Sequence, residues 1–182
     1  MIFTETKIPG AFLLEPERHE DGRGYFVRTF CEQEFRENGI DFSPVQGNTS
    51  YNAHALTLRG MHFHAKPHEE EKLVRCGAGR IFDVAVDLRE GSAAYGQWIG
   101  VELSRENGQG LFIPKGCAHG FLTLEDHSEV TYLMSPAYVG GYERGFYWED
   151  PDIGIAWPVE PKVIAEKDRA LPSLAELDKD GQ

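Results

Sequence analysis

No run of about 18 apolar residues occurs in the 182-residue chain, so no segment has the length and apolarity of a membrane-spanning helix. The opening Met1-Ile2-Phe3-Thr4-Glu5 lacks both the basic and the apolar region of a signal peptide. Cysteine is scarce: Cys31, Cys76 and Cys117 are odd in number and far apart, which gives neither a disulfide framework nor a CxxC metal knuckle. Each reads as a small buried residue, and a reducing cytoplasm as the compartment. Positive charge is short as well. Eighteen Lys and Arg stand against 30 Asp and Glu, a net charge of −12, and nucleic acid as a partner demands a basic surface. Helical signals are few. Glu32–Asn38, closed by Gly39, reads as one short helix, and Ser173–Leu177, with Ser173 as N-cap, as another. Repeats, low-complexity tracts and linkers are missing, so residues 1–182 read as one domain with a frayed tail from Asp178 to Gln182.

What the chain has is strand-length apolar or alternating runs, cut at short intervals by 20 glycines and 10 prolines. They are Ala11–Leu14, Gly24–Thr29, Val45–Tyr51, Leu56–His64, Glu71–Cys76, Arg80–Leu88, Gln97–Leu103, Gly110–Pro114, His119–Thr123 and Glu129–Met134. Many short strands with frequent turns mean an all-β sandwich or barrel. Phe82–Leu88 is apolar on both faces except for its acids and reads as a central strand, with Asp83 a bonded core residue. Phe112–Phe121 reads as a strand, a tight turn and a returning strand, with His119 just past the turn and facing a cavity.

Against the acidic balance, Arg23, Arg28, Arg59, Lys72 and Arg75 gather in the first half, enough for a small anionic ligand. The densest chemistry is Arg59-Gly60-Met61-His62-Phe63-His64 followed by Lys72-Leu73-Val74-Arg75. Strand alternation sends His62 and His64 to one face, and a face carrying two imidazoles and an ammonium is no ordinary core. Two chemistries fit. His62-x-His64 with Glu69 or Glu70, and Gly108-x5-Pro114-x-Gly116-x2-His119, resemble the two metal motifs of cupins, small β-barrels. His62, His64, Glu70 and His119 would be a ligand set for Mn, Fe, Ni or Zn, opposed by the charge of Lys72. The alternative is proton transfer. A neutral His is a base suited to pH 7, Lys72 would hold the enolate oxygen formed by abstraction next to a ketone, a carboxylate would orient the His, and Tyr132 or Tyr138 would return the proton.

An ordered set of segments then resembles one family through nearly the whole length. They are Asp21-Gly22-Arg23-Gly24-Tyr25-Phe26, Gln46-Gly47-Asn48-Thr49-Ser50, Leu58-Arg59-Gly60-Met61-His62-Phe63, Lys72-Leu73-Val74-Arg75 and Phe82 through Arg89. Further on come Gly100–Ser104, Ile113–Gly116 with Ala118–Phe121, Glu143-Arg144-Gly145, Trp148–Pro151, Gly154–Pro158 and Glu166-Lys167-Asp168-Arg169. The chain resembles the dTDP-4-dehydrorhamnose 3,5-epimerase family, metal-free cupins acting on a nucleotide-linked 4-keto-6-deoxyhexose. The resemblance implies a cupin-type β-barrel or jelly roll with a few short peripheral helices. It also implies a cytoplasmic homodimer whose nucleotide site borrows residues from the partner, a nucleotide-sugar substrate, and no metal or other cofactor. It makes His62 the base, Asp168 its dyad partner, Lys72 the enolate stabiliser and Tyr132 the proton donor on the other face. His119 and Arg59 would line the sugar and diphosphate pocket. Arg23, Phe26, Gln46, Asn48, Tyr138 and Glu143 would contact the nucleotide or its phosphates.

Some positions depart from the family pattern. His64 stands where the family usually has Gln, Glu70-Glu71 where it has Gln-Gly or Gln-Ala, and Arg28 where it has a Glu near the nucleotide. The segment Tyr132–Tyr138 differs too, with both tyrosines kept. Thymidine is the favoured base, and inversion at C3, at C5 or at both stays open. A metal-dependent cupin enzyme and a non-catalytic nucleotide-sugar binder are the rival readings.

Overall fold

The computed structural model describes residues 1–180, with side chains through Leu177. In chain order it forms β1 (Ile2–Glu5), β2 (Phe12–Glu15), β3 (Arg18–Asp21), β4 (Gly24–Val27), α1 (Glu32–Glu37), β5 (Gln46–Asn52) and β6 (Thr57–His64). Then follow β7 (Glu71–Ala78), β8 (Arg80–Asp87), β9 (Trp98–Ser104), β10 (Gly110–Ile113), β11 (Cys117–Thr123) and β12 (Ser128–Ser135). Last are β13 (Glu143–Gly145), β14 (Val163–Ile164), α2 (Glu166–Arg169) and α3 (Leu174–Asp180). One sheet runs β1-β2-β10-β7-β12-β5; the other runs β13-β6-β11-β8-β9, with β14 added in parallel along β6. β3 and β4 make a separate hairpin.

Period-two patterning places the core. Val74, Leu111, Ile113 and Val130 of the first sheet meet Ile81, Ala85, Cys117 and Phe121 of the second in one cluster between the sheets. Intervening residues point outward. Leu73 and Phe112 are covered by Phe35 of α1 and by Phe42. Val84, Val86 and Ala118 are covered by Phe146, Ile153 and Leu174. The expected all-β jelly roll with short peripheral helices is therefore the architecture found.

Details differ from the sequence reading. β10 and β11 do not return on each other. β10 pairs with β2 and β7, and β11 with β6 and β8, so Pro114-Lys115-Gly116 turns a corner between sheets. β3, fully exposed Arg18-His19-Glu20-Asp21, has no apolar face to announce it, and β13, β14 and α2 are too short to show a period. Cys76 and Cys117 are buried as expected, but Cys31 at the start of α1 is only half-buried. Ser173 caps α3 through Glu176, whose carboxylate accepts from the Ser173 N–H and hydroxyl, each at 2.9 Å. Of the expected tail, α3 carries the backbone to Asp180; the side chains from Asp178 and residues 181–182 lie outside the described residues.

Candidate active site

A cavity of about 650 Å³ opens between the sheets, and Arg59, His62, Lys72, His119, Tyr132 and Asp168 all line it. Arg59 and His62 are an odd number of residues apart and would face opposite ways on a regular strand. The register solves this: Phe121 pairs with Arg59 but His119 with His62, so three steps of β6 oppose two of β11. That bulge turns both side chains inward. The strands touch there. A Cβ on Gly60, where φ is +127°, would lie 2.6 Å from Gly120 Cα, and one on Gly120 2.6 Å from Met61 Sδ.

Asp168 comes from the far end of the chain. β14 pairs with the start of β6 (Val163 with Thr57), and α2 follows directly, which brings the Asp168 carboxylate under β6. It is 2 % exposed, with Oδ1 2.8 Å from His62 Nε2 and Oδ2 accepting from the Gly60 N–H at 3.4 Å. Burial pushes this carboxyl up, but the His62 hydrogen bond, the imidazole charge and the Gly60 N–H outweigh it and hold it below the usual carboxylate range. An ionised carboxylate only accepts, so Nε2 carries a proton, and in the neutral imidazole the free lone pair sits on Nδ1.

A second pair lies alongside: His119 Nε2 is 2.7 Å from Asp83 Oδ1, both residues buried. Asp83 is the bonded core acid expected of β8, and its partner is a cavity histidine. Asp83 Oδ2 has no hydrogen-bond partner among the described residues.

The opposite wall comes from the first sheet. Lys72 on β7 is buried, and its ammonium pairs with Glu70 Oε1. Glu70 Oε2 lies 2.5 Å from His64 Nδ1, a close contact outside hydrogen-bond geometry, and both His64 ring nitrogens lack a hydrogen bond among the described residues. Tyr132 on β12 is half-buried. Burial pushes its hydroxyl up, the Glu70 charge adds to this, and Arg59 opposes it, which keeps the phenol protonated at neutral pH. The cavity thus has a His–carboxylate pair on one wall and an ammonium with a phenolic O–H on the other.

None of the remaining expected contacts is among the residues lining this cavity. Gln46 Nε2 donates to Asn48 Oδ1 at 3.0 Å, and Gln46 Oε1 accepts from the Tyr138 N–H at 3.0 Å, tying β5 to the segment after β12. The half-exposed Tyr138 ring meets His64 edge-on at 5.3 Å. Glu143 pairs with His64 across β13 and β6, and its carboxyl, capped by its own and the Gly141 N–H, sits below the usual range. Arg23 and Phe26 are not brought to the cavity. They sit on the β3–β4 hairpin, Arg23 paired with Asp21 at 2.6 Å and Phe26 70 % exposed. Arg28 pairs with Glu34 at 2.7 Å, and the same carboxylate also holds the N-terminal ammonium of Met1 at 2.7 Å.

Among the described residues no three His, Cys, Asp or Glu side chains converge as a metal group. In the ligand set weighed from sequence, His62 is taken by Asp168, His119 by Asp83 and Glu70 by Lys72. Three features of the site are not apparent in the sequence: Asp83 as the partner of the cavity histidine His119, Lys167 on the cavity wall, and Glu70 as the partner of Lys72. The signals were an acid in an otherwise apolar strand and a cation beside Asp168; nothing in the sequence marked the Glu70 contact.

Residues 5–176 match the family model of dTDP-4-dehydrorhamnose 3,5-epimerase. The chain is 48 % identical over 177 residues to the dTDP-4-dehydrorhamnose 3,5-epimerase of Methanothermobacter thermautotrophicus, covering 96 % of this chain and 95 % of the relative. The crystal structure of the Bacillus anthracis enzyme of that name, with TDP and pyrophosphate bound, superposes with a TM-score of 0.92 at 40 % identity, covering 95 % of this chain and 99 % of the other. A Legionella pneumophila dTDP-6-deoxy-D-glucose-3,5-epimerase in complex with dTDP-4-keto-L-rhamnose gives 0.92 at 36 % identity, covering 98 % and 95 %. On fold, cavity and similarity together, the chain belongs to the dTDP-4-dehydrorhamnose 3,5-epimerase family and is an enzyme of the isomerase class.

Proposed function

We propose that the protein converts dTDP-4-dehydro-6-deoxy-D-glucose into dTDP-4-dehydro-L-rhamnose, inverting C3 and C5 by proton removal next to the C4 ketone. The observation that carries this reading is the placement of the His62–Asp168 pair on one cavity wall and of Lys72 and Tyr132 on the other. His62 Nδ1 takes the proton, and the C–H electron pair moves through carbon onto the C4 oxygen. The Lys72 ammonium faces the negative charge as it develops there. The Tyr132 O–H delivers a proton to the opposite face, and exchange with water returns imidazolium and phenolate to their starting forms. The ketone itself acidifies the C–H bond, so the chemistry calls on no metal or redox cofactor.

Asp168 fixes the tautomer and stabilises the imidazolium. Arg59, held by Asn52 Oδ1 at 2.8 Å, and His119, held by Asp83, face the sugar and diphosphate. Gln46, Asn48, Tyr138 and Glu143 serve the nucleotide. Arg23 and Phe26 do so from a second copy of the chain, which makes the working unit a homodimer. The exposed Tyr25 and Phe26 on the hairpin support that assignment, as apolar surface left uncovered in one chain. dTDP is the nucleotide because relatives carry TDP or a dTDP-sugar. The free cysteines agree with a cytoplasmic setting.

His62→Ala tests the base directly. Turnover should be lost, with dTDP affinity, read by calorimetry, within about threefold of wild type, because a base active only in the transition state contributes little to ground-state binding. Retained turnover, or loss of binding by the same factor as turnover, would overturn the assignment.

A further inference from the structure

Glu70 and His64 touch the catalytic wall, and the mechanism uses neither. Both are buried, at 7 % and 8 % exposure. Glu70 lies two residues before Lys72, just ahead of β7, and one carboxylate oxygen holds the Lys72 ammonium. The other lies 2.5 Å from Nδ1 of His64, the last residue of β6 on the facing sheet. Glu70 therefore joins the two walls at the cation. His64 is itself steadied by the Tyr138 ring at 5.3 Å.

Elementary chemistry gives the contact a purpose. A buried ammonium is stable in its charged form only against a counter-charge. It carries three N–H donors. One given to Glu70 fixes rotation about the terminal bond and leaves two for the cavity. Lys72 without Glu70 would carry the same charge on a freely swinging four-carbon stem, and an oxyanion partner out of place by an ångström loses much of its effect.

We propose that Glu70 and His64 are positioning residues that act through Lys72: Glu70 fixes the ammonium that meets the enolate oxygen, and His64 fixes Glu70. This rests on the role of Lys72 in the proposed epimerisation, and a double-mutant cycle separates the two. Turnover and dTDP affinity are measured for wild type, Glu70→Gln, Lys72→Met and the double variant, each checked by thermal melting. Glu70→Gln should lower kcat about tenfold, with KM and dTDP affinity within about twofold, and should add nothing in the Lys72→Met background. His64→Gln should lower kcat about threefold and likewise lose its effect without Lys72. Glu70→Asp, which keeps the charge, should recover part of the loss. Equal losses from Glu70→Gln in both backgrounds, or wild-type kcat in Glu70→Gln, would overturn the proposal. Wild-type turnover in Lys72→Met would instead remove the enolate role on which it stands. If Glu70→Gln alone fails to fold, His64→Gln and Glu70→Asp with and without Lys72 decide by the same criterion.

Discussion

At the scale of the residue, the site rests on two His–Asp pairs and one Lys–Glu pair, all set in a chain of strongly negative charge. Asp168→Asn keeps the shape of the acid but offers an amide to Nε2, so the imidazole loses its tautomer and its counter-charge. A loss of kcat of roughly 10²–10⁴-fold is expected from spoiling general base action, with dTDP binding kept. The same carboxyl makes a stability statement. Its pKa lies below the ordinary value in the folded protein, so the pair's contribution is present above about pH 4 and is lost as pH falls through the folded value. Melting temperatures taken from pH 6 down should fall more steeply for wild type than for Asp168→Asn; parallel curves would show that the carboxylate carries no folding linkage. Burial also pushes the thiols of Cys76 and Cys117 up to about 11 and about 12. At pH 8 an alkylating reagent should modify the half-buried Cys31 in the native protein and reach the other two only after unfolding, as intact mass will report. Of the site residues expected from sequence, Arg59, His62, Lys72, His119, Tyr132 and Asp168 meet at one cavity. Taken singly, Lys72, Tyr132 and Asp168 look like an edge, a core and a surface residue; the ordered family resemblance, rather than local pattern, picks them out with His62. Glu70 stands out in the sequence only as a candidate metal ligand beside His64; its contact with Lys72 follows from the fold that buries both.

At the scale of the element, strands with period-two patterning were readable from sequence, and the devices that aim the site were not. The bulge of β6 against β11 depends on Gly60 and Gly120 sharing a space that admits no side chain. Gly60→Ala meets backbone rather than a flexible side chain, and does so at a φ of +127° that side chains rarely adopt. It should cost about 2–4 kcal/mol in chemical denaturation and lower turnover further, since it parts the strands bearing Arg59, His62 and His119. A stable, fully active Gly60→Ala would show that the bulge does not aim the site. The attachment of α2 through β14 was equally hidden. Two residues of parallel pairing bring Asp168 to His62 across 106 positions of chain, and no local pattern reports a partner so distant. The corner after β10 was misread because a short turn between strands looks the same whether the chain returns in one sheet or crosses to another.

At the scale of the whole molecule, one chain brings His62, Lys72, Tyr132 and Asp168 to a single cavity but leaves the β3–β4 hairpin, with Arg23 and Phe26, out of its lining. If the hairpin completes the site of a second copy, His62→Ala and Arg23→Ala proteins, each impaired alone, should regain activity when their subunits are mixed and exchanged, because one site of the mixed dimer is intact. Sedimentation should show the dimer; a monomer, or mixing without gain, would place the hairpin outside the site. The architecture was legible in outline, since many short strands and few helices permit little besides a sandwich or barrel. The juxtaposition of the walls was not, because it depends on the pairing of strands distant in sequence. Proton abstraction by His62 is read most directly by proton NMR of dTDP-4-keto-6-deoxyglucose incubated with the protein in D₂O. With wild type the C3 and C5 proton signals should vanish as solvent deuterium replaces them, and with His62→Ala they should persist. Persistence of both signals with wild-type protein that demonstrably binds dTDP would contradict that abstraction.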